Sequence, residues 1–401
     1  MFSSLKFKVI LFGFIFTFFS SFGQSYFLGL FNSSIREALS ITHGQFGSIY
    51  ASATLCSSLL LIWVGKKIDD VNIFKFAFFV TILLSFACFF FSRVTSVFLL
   101  FIAIFLMRFS GQGMMSHTAS TTISRYFTKT RGRALSISWF GLSSAEFIMP
   151  VLMVYLLTII DWQNLWLIFS ISVLIILPIV SFLLIKNLNL DSREANDENI
   201  KHVEIKQWRR RDVLKDYRFY IISSNMLAMP WIFTGFAVFQ SFVQTSKGWG
   251  PYVIAQSFMS YSIFSVLTLF LSGFLIDKFT SRKLLIYMNI PLLLSVIVLF
   301  LFDTPITAFL FLGLVGISNG FANILGSSTW AELYGVKYLC SIKALTTALM
   351  VFATAFGTAL FGYLIDIGFT VGDIAVVSGT YIFISLILLF LVRKKLNPVI
   401  I

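Results

Sequence analysis

Twelve apolar runs of roughly 17–25 residues divide this chain, and a run of that length crosses the hydrocarbon core of a bilayer as one helix. They lie near 8–31, 45–64, 73–92, 97–119, 134–157, 164–185, 218–243, 253–275, 283–302, 305–329, 342–365 and 374–392. A soluble fold would have to bury nearly all of them. Only 12% of the residues are charged and 58% are hydrophobic, against about 25% charged in an average soluble domain. The fold expected is all-α and integral to a membrane, and an ordinary cytosolic enzyme is excluded. The first run follows Lys6 and Lys8 and could pass for a secretory signal. It is too long, and Ser21-Phe-Gly-Gln-Ser25 has no small-x-small cleavage pattern, so it reads as a retained span.

The basic residues give the spans a direction. Of thirty lysines and arginines, only Arg36, Arg93 and Lys247 fall in the loops of one side, and Arg108 lies inside the fourth run. The other 26 share the opposite side with both termini. Such a bias puts the termini in the cytoplasm, with the chain in a cell inner membrane. The net charge of +13 then faces an anionic leaflet. No soluble module gathers it for nucleic acid. The bilayer is the large partner expected, and a single copy the expected working unit. Three scattered cysteines (Cys56, Cys88, Cys340) and three histidines (His43, His117, His202) give no metal-ligand or disulfide spacing, so no metal and no cofactor is expected.

The one long hydrophilic stretch, 186–217, mixes charges in Asp191-Ser-Arg-Glu-Ala-Asn-Asp-Glu198 and Trp208-Arg-Arg-Arg211. It reads as a cytoplasmic linker with an interfacial basic helix, a docking segment being the alternative. On either side the chain repeats. Gly65-Lys-Lys-Ile-Asp69 follows the second run and Gly273-Phe-Leu-Ile-Asp277 the eighth, 208 residues on. The same shift carries the first span onto the seventh and the fourth onto the tenth. Two six-helix halves, 1–185 and 218–401, are expected, in a parallel repeat about an axis along the membrane normal.

Six plus six spans, a long central loop and the paired Gly-x-x-x-Asp segments resemble the major facilitator superfamily of secondary transporters. Asp69-Asp70-Val-Asn-Ile-Phe-Lys75 departs from that family's usual Asp-Arg-x-Gly-Arg at Asp70 and Asn72, whereas Asp277-Lys-Phe-Thr-Ser-Arg-Lys283 fits better. Arg108-Phe-Ser-Gly-Gln-Gly113 is similar to its Arg-x-x-x-Gln-Gly element, and Tyr126-Phe-Thr-Lys-Thr-Arg131-Gly-Arg133 to the loop after it. The resemblance implies alternating access. It makes Gly65, Asp69, Gly273 and Asp277 parts of a gate whose contacts form in one conformation and break in another. A plain surface ion pair, worth under about 1 kcal/mol, is the competing reading of the aspartates.

Two formal charges sit deep in the spans, Arg108 in the fourth and Glu146 in the fifth. Each costs at least about 2.5–3.5 kcal/mol at the bilayer centre, which makes both functional candidates. Each lies twelve residues from the cytoplasmic end of its apolar run, roughly 18 Å at 1.5 Å per residue. Pro150 lacks an N–H and leaves the Glu146 carbonyl without its in-helix donor. Three readings stand. Glu146 exchanges a proton under the influence of Arg108; Arg108 binds a substrate anion, with Glu146 its partner in the empty state; or the pair is structural.

Under the 208-residue shift Arg108 falls on Gly316 and Glu146 on Thr354, so the charge belongs to one half. Amides and aromatics offer hydrogen bonds elsewhere: Asn319, Asn323 and Ser327 on one face of the tenth span, Asn225, Trp231 and Gln240 near the Pro230 kink expected in the seventh, Gln24 and Tyr26 in the first, and Gln112 in the fourth. The resemblance implies that spans one, four, seven and ten line the cavity. Interhelical glue is the alternative for each amide. His117 reads as a capping or loop contact. Gly316-Ile-Ser-Asn-Gly320 matches a hydrolase pattern, but that motif needs a strand–turn–helix; inside a span its glycines read as a packing face. The function expected is secondary transport of a small polar solute with protons, an organic anion favoured by the midplane arginine; the resemblance implies a charge in the eighth span for monocarboxylate carriers, and 253–275 has none, which weakens that assignment. The alternatives are a proton-driven exporter of amphipathic compounds and a non-transporting membrane sensor.

Overall fold

The computed structural model describes residues 4–127, 130–186 and 206–398; the side chains of Asp69, Asp277, Ser327 and Cys340 lie outside the described part. Twelve helices are long and apolar enough to span a membrane: α1 Leu5–Gly29, α2 His43–Ile68, α3 Ile73–Ser92, α4 Val97–Tyr126, α5 Arg131–Leu156, α6 Trp162–Ile185, α7 Tyr217–Val238, α8 Val253–Ile276, α9 Ser281–Leu301, α10 Ile306–Tyr334, α11 Ser341–Asp366 and α12 Val371–Lys395. Their outer faces carry large apolar side chains in the open, Phe274 at 75% and Leu391 at 70% exposure. Contiguous apolar surface of that kind is stable only against lipid.

Short polar residues start the helices. Thr42 and Gln45 form a reciprocal capping box on α2, as Thr370 and Asp373 do on α12. Ser96, Asn72 and Asp216 accept from the first-turn N–H groups of α4, α3 and α7.

The clearest departure from the apolar runs is α4. Its last third, Ser116–Tyr126, is polar yet stays helical because it packs on α1 and α5. Arg108 therefore lies eighteen residues from the C-terminal end of α4, and Glu146 fifteen from the start of α5, rather than twelve each. Hydrophobicity marks where lipid ends, and these helices continue past it.

The chain divides into two compact units, Met1–Asn199 and Ile200–Ile401. Each holds six spans that pair in the same order. In the first unit α1 packs on α5, α2 on α4, and α3 on α4 and α6; in the second α7 packs on α11, α8 on α10, and α9 on α10 and α12. Glycines set the tightest approaches: a Cβ on Gly141 of α5 would strike the Phe14 carbonyl of α1, and one on Gly357 of α11 the Trp231 carbonyl of α7. Gly316 and Gly320 press on the α8 backbone, Gly320 with a Cβ position 2.7 Å from the Ser265 carbonyl. The packing face read from their spacing is present.

Residues 187–205, including the Asp191–Glu198 charge run, lie outside the described residues. The stretch from Lys206 to the start of α7 is not a loose linker. Trp208 N donates to the Tyr334 carbonyl (3.0 Å), Gln207 accepts from Lys337 N (2.9 Å), and the single turn Arg210–Val213 buries Val213. Arg218, held by Asp216 (Nε–Oδ2 2.8 Å), donates Nη1 to the carbonyl of Asn397 at 2.8 Å. Arg282 donates to the Leu396 carbonyl at 2.7 Å, and the Leu396 side chain is buried beneath. Two arginines thus clamp the segment after α12 to the starts of α7 and α9.

Candidate functional site

The first span is not one helix. Regular α-helix ends at Ser20, a 3-10 turn covers Ser21–Gly23, Gln24 is extended (φ −80°, ψ 151°) and helix resumes at Ser25. An interrupted helix leaves carbonyls without in-helix donors, which inside a membrane must find other partners. Arg108 supplies one. Its Nη1 donates to the Gly23 carbonyl at 3.0 Å and to Ser25 Oγ at 3.3 Å. Tyr50 of α2 donates to the same Ser25 Oγ at 3.0 Å, and its ring lies 5.3 Å from the guanidinium carbon.

The helix that carries Arg108 is irregular at the same place. Residues Arg108–Met115 are π-helical, a local widening that often marks functional positions. Gly23 and Gly111 let the two irregular backbones touch: a Cβ on Gly111 would lie 2.6 Å from Gly23 N and 2.9 Å from its Cα. Behind the break, Phe22 and Phe27 stack with Phe169 and Trp166 of α6.

Arg108 is 3% exposed and has no carboxylate partner among the described residues, and its Nε–H is buried without an acceptor. Glu146 does not reach it. The electrostatic neighbour of Arg108 is Tyr50, whereas Glu146 lies within Coulombic reach of Tyr26. Buried on α5, Glu146 makes no hydrogen bond and no ion pair among the described residues. Arg108 thus lies against Gly23 and Ser25, which flank the break at Gln24, and Glu146 acts electrostatically on Tyr26. The pairing of Arg108 with Glu146 weighed from the sequence is absent here, because Gly23 and Tyr50 occupy the face the arginine turns to.

In the second unit a cavity of about 180 Å³ opens between α7, α9, α10 and α11. Asn319 and Asn323 line it. Asn319 Nδ2 donates to Ser265 Oγ of α8 at 2.9 Å, whereas Asn323 is exposed and makes no hydrogen bond among the described residues. The other candidates face elsewhere. Asn225 is fully buried, its amide 3.5 Å from Ser385 Oγ on α12, and Trp231 packs edge-on against Tyr381 and Phe361. Both serve packing. Gln240 lies past a second break at Phe239, in the short helix Gln240–Ser246, and donates to the Ala237 carbonyl at 2.9 Å. Helix continues through Pro230 and ends at Val238, ahead of the break at Phe239. Gln24 and Gln112 are half-buried at the α1 break.

The loop after α2 is held by α4. His117 Nε2 donates to the Gly65 carbonyl at 3.0 Å, and Arg125 Nη1 to the Ile68 carbonyl at 3.0 Å. His117 is thus a capping contact. The loop after α8 is held differently. Glu332 of α10 accepts from Ser281 N (2.9 Å) and Arg282 Nε (3.2 Å), and the space around Gly273 is open. Tyr50, Ser25 and Glu332 escaped the sequence reading. Hydroxyls and a carboxylate near a span end carry no spacing signal, and their importance appears only when the helix they hold is seen.

Six paired spans twice over, a broken helix and a buried charge at membrane depth define a multi-pass membrane transporter. A family model of the Major Facilitator Superfamily matches residues 13–339, and the chain belongs to that family. Among solved structures it is similar to a bacterial homolog of the human lysosomal transporter Spinster in its inward-facing, unoccupied form, with 14% identity over 99% of this chain and 98% of that one and a TM-score of 0.75. It is also similar to the nucleoside transporter NupG, at 16% identity over 98% and 99% of the two chains and a TM-score of 0.70. Identities this low carry the fold alone. No curated protein matches significantly.

Proposed function

We propose that this transporter carries a small organic anion across a cell inner membrane by alternating access, with Arg108 as the anion's counter-charge. The observation that carries the reading is the guanidinium itself. It is buried in mid-span with no described carboxylate beside it and one N–H unused. A charge in that setting is costly unless a partner of opposite sign arrives, and a carboxylate accepts from arginine in a planar, two-pronged geometry that no neutral group matches. Glu146, buried and unpaired beside Tyr26, is the proton site in this reading, so uptake of the anion draws on the proton gradient. Both termini face the cytoplasm, as the lysine and arginine bias requires, the six-helix halves 1–185 and 218–401 work as a single copy, and nucleic acid has no part.

The test is uptake into proteoliposomes of a labelled monocarboxylate panel against the matching neutral amides, with an imposed pH gradient. Carboxylates accumulated by wild type and not by Arg108→Ala support the reading. Equal handling of acids and amides, or wild-type uptake by a correctly inserted Arg108→Ala, would remove the arginine from the site.

A further inference from the structure

The cavity of the second unit has a chemistry that the arginine does not explain. We infer that it binds an uncharged, ring-sized group bearing an amide-like edge, and that this group is the part of the cargo the second half recognises. The inference rests on the proposed transport function only for the word cargo.

Size comes first. The cavity measures about 180 Å³, whereas roughly 150 Å³ suffices for benzene in an engineered apolar core. Six-membered rings and compact bicyclic ones fit; a sugar chain or an acyl tail does not. The walls come next. Met226 of α7, Met288 of α9 and Met350 of α11 surround it, with Trp330 at one end. Thioethers are polarizable and make favourable contacts with aromatic rings while adapting to their outline. Among the described residues no charged side chain lines the space, so an ionised group would be desolvated there without a partner.

The polar groups are few: the Asn319 and Asn323 amides on α10, the buried and unpartnered Ser223 hydroxyl on α7, and the Thr346 hydroxyl on α11, which already donates to the Lys343 carbonyl. Asn319 and Asn323 stand one helical turn apart, on the same face of α10. Asn319 gives one N–H to Ser265 and keeps its second N–H and its Oδ1 acceptor. Asn323 is unengaged and offers both a donor and an acceptor. Across the cavity, Pro230 cannot bond the Met226 carbonyl, which adds another acceptor on the α7 wall. A ligand that satisfies this set carries N–H and C=O side by side on a ring, as a lactam, a pyridone or an aryl amide does.

Gly326 provides a clean lever. It lines the cavity, and nothing lies within 4 Å of a Cβ built on it. A large side chain there enters the cavity without striking the backbone. The experiment measures saturable binding of tritiated benzamide to the full chain in lipid nanodiscs. We expect saturable binding that unlabelled 2-pyridone displaces. Gly326→Phe should weaken it more than tenfold at an unchanged melting temperature, and Asn323→Leu about tenfold. Arg108→Ala should bind benzamide as wild type does. Absence of saturable binding, or equal binding by Gly326→Phe, overturns the site; wild-type affinity in Asn323→Leu overturns the amide edge. Loss of binding in Arg108→Ala would place the ring against the arginine instead. Because benzamide is neutral and no gradient is applied, failure here leaves the anion reading standing, and failure of carboxylate uptake leaves this site standing.

Discussion

The two halves share one order of helix pairing and use it to opposite ends. Where α1 meets α4, Gly23 and Gly111 bring two irregular backbones into contact, and the space between is closed around a guanidinium. Under the 208-residue shift those glycines become Trp231 and Asn319. Trp231 has turned into the packing of α11 and α12, Asn319 faces a cavity, and the helix around Trp231 is unbroken. The first half therefore closes irregular backbone around a charge, whereas the second keeps open, uncharged volume at the matching position and breaks its seventh span further on, at Phe239. A repeat can hold its topology while dividing two kinds of recognition between its copies, since the pairing depends on small residues at a few crossings and leaves the remaining positions free to diverge.

That contrast can be broken at several points. The largest effect belongs to Arg108→Ala, expected to cut carboxylate uptake at least a hundredfold in protein that still inserts; Arg108→Lys should recover little of it, since an ammonium cannot offer a carboxylate the planar, two-pronged set of donors that a guanidinium does. Recovery by lysine would reduce the arginine to a point charge. Next comes Gly111→Val, which places a side chain against the Gly23 backbone and should cost about 1–3 kcal/mol as overpacking, read as a lower melting temperature. If Gly326→Phe in the second half destabilises as much, closed and open are the wrong words for the two halves. Glu146→Gln should leave substrate exchange near wild type and abolish accumulation driven by a pH gradient, a split that flux measurements with and without the gradient resolve. Accumulation that survives takes the proton away from α5. Tyr50→Phe keeps the ring beside Arg108 and removes only the bond to Ser25, so a few-fold rise in KM with little change in kcat is expected. Smallest is Ser265→Ala, which removes the partner of Asn319 and should lower stability by about 0.6 kcal/mol, the usual worth of an interhelical hydrogen bond.

The spans and their number were legible because a membrane leaves one solution for a long apolar run. The glycine face at Gly316 and Gly320 and the capping role of His117 were legible for the same reason, each having a local cause. The break at Gln24 was not. Ser21-Phe-Gly-Gln-Ser25 is mildly polar and carries no proline, and what holds it open is Arg108, 85 residues away. The break at Phe239 had no proline to announce it either, since Pro230 lies within continuous helix. Amides divided along the same line. Asn225 and Asn323 look alike in sequence, and only the neighbours of each decide that one is glue and the other faces open space.

The clamp on the segment after α12 has a consequence in time. Arg218 and the carbonyl of Asn397 are 179 residues apart, and a ribosome adding about 5–20 residues per second needs roughly ten to forty seconds to cover that distance. Throughout that interval Arg218 has Asp216 beside it and nothing to close the other side, although α7 is already made. This end of the second unit therefore completes its contacts only after α12 has been made. A chain without Leu396 and Asn397 would hold all twelve spans and still leave Arg218 and Arg282 without those carbonyl acceptors, so closing this end of the unit is an event separate from making its helices.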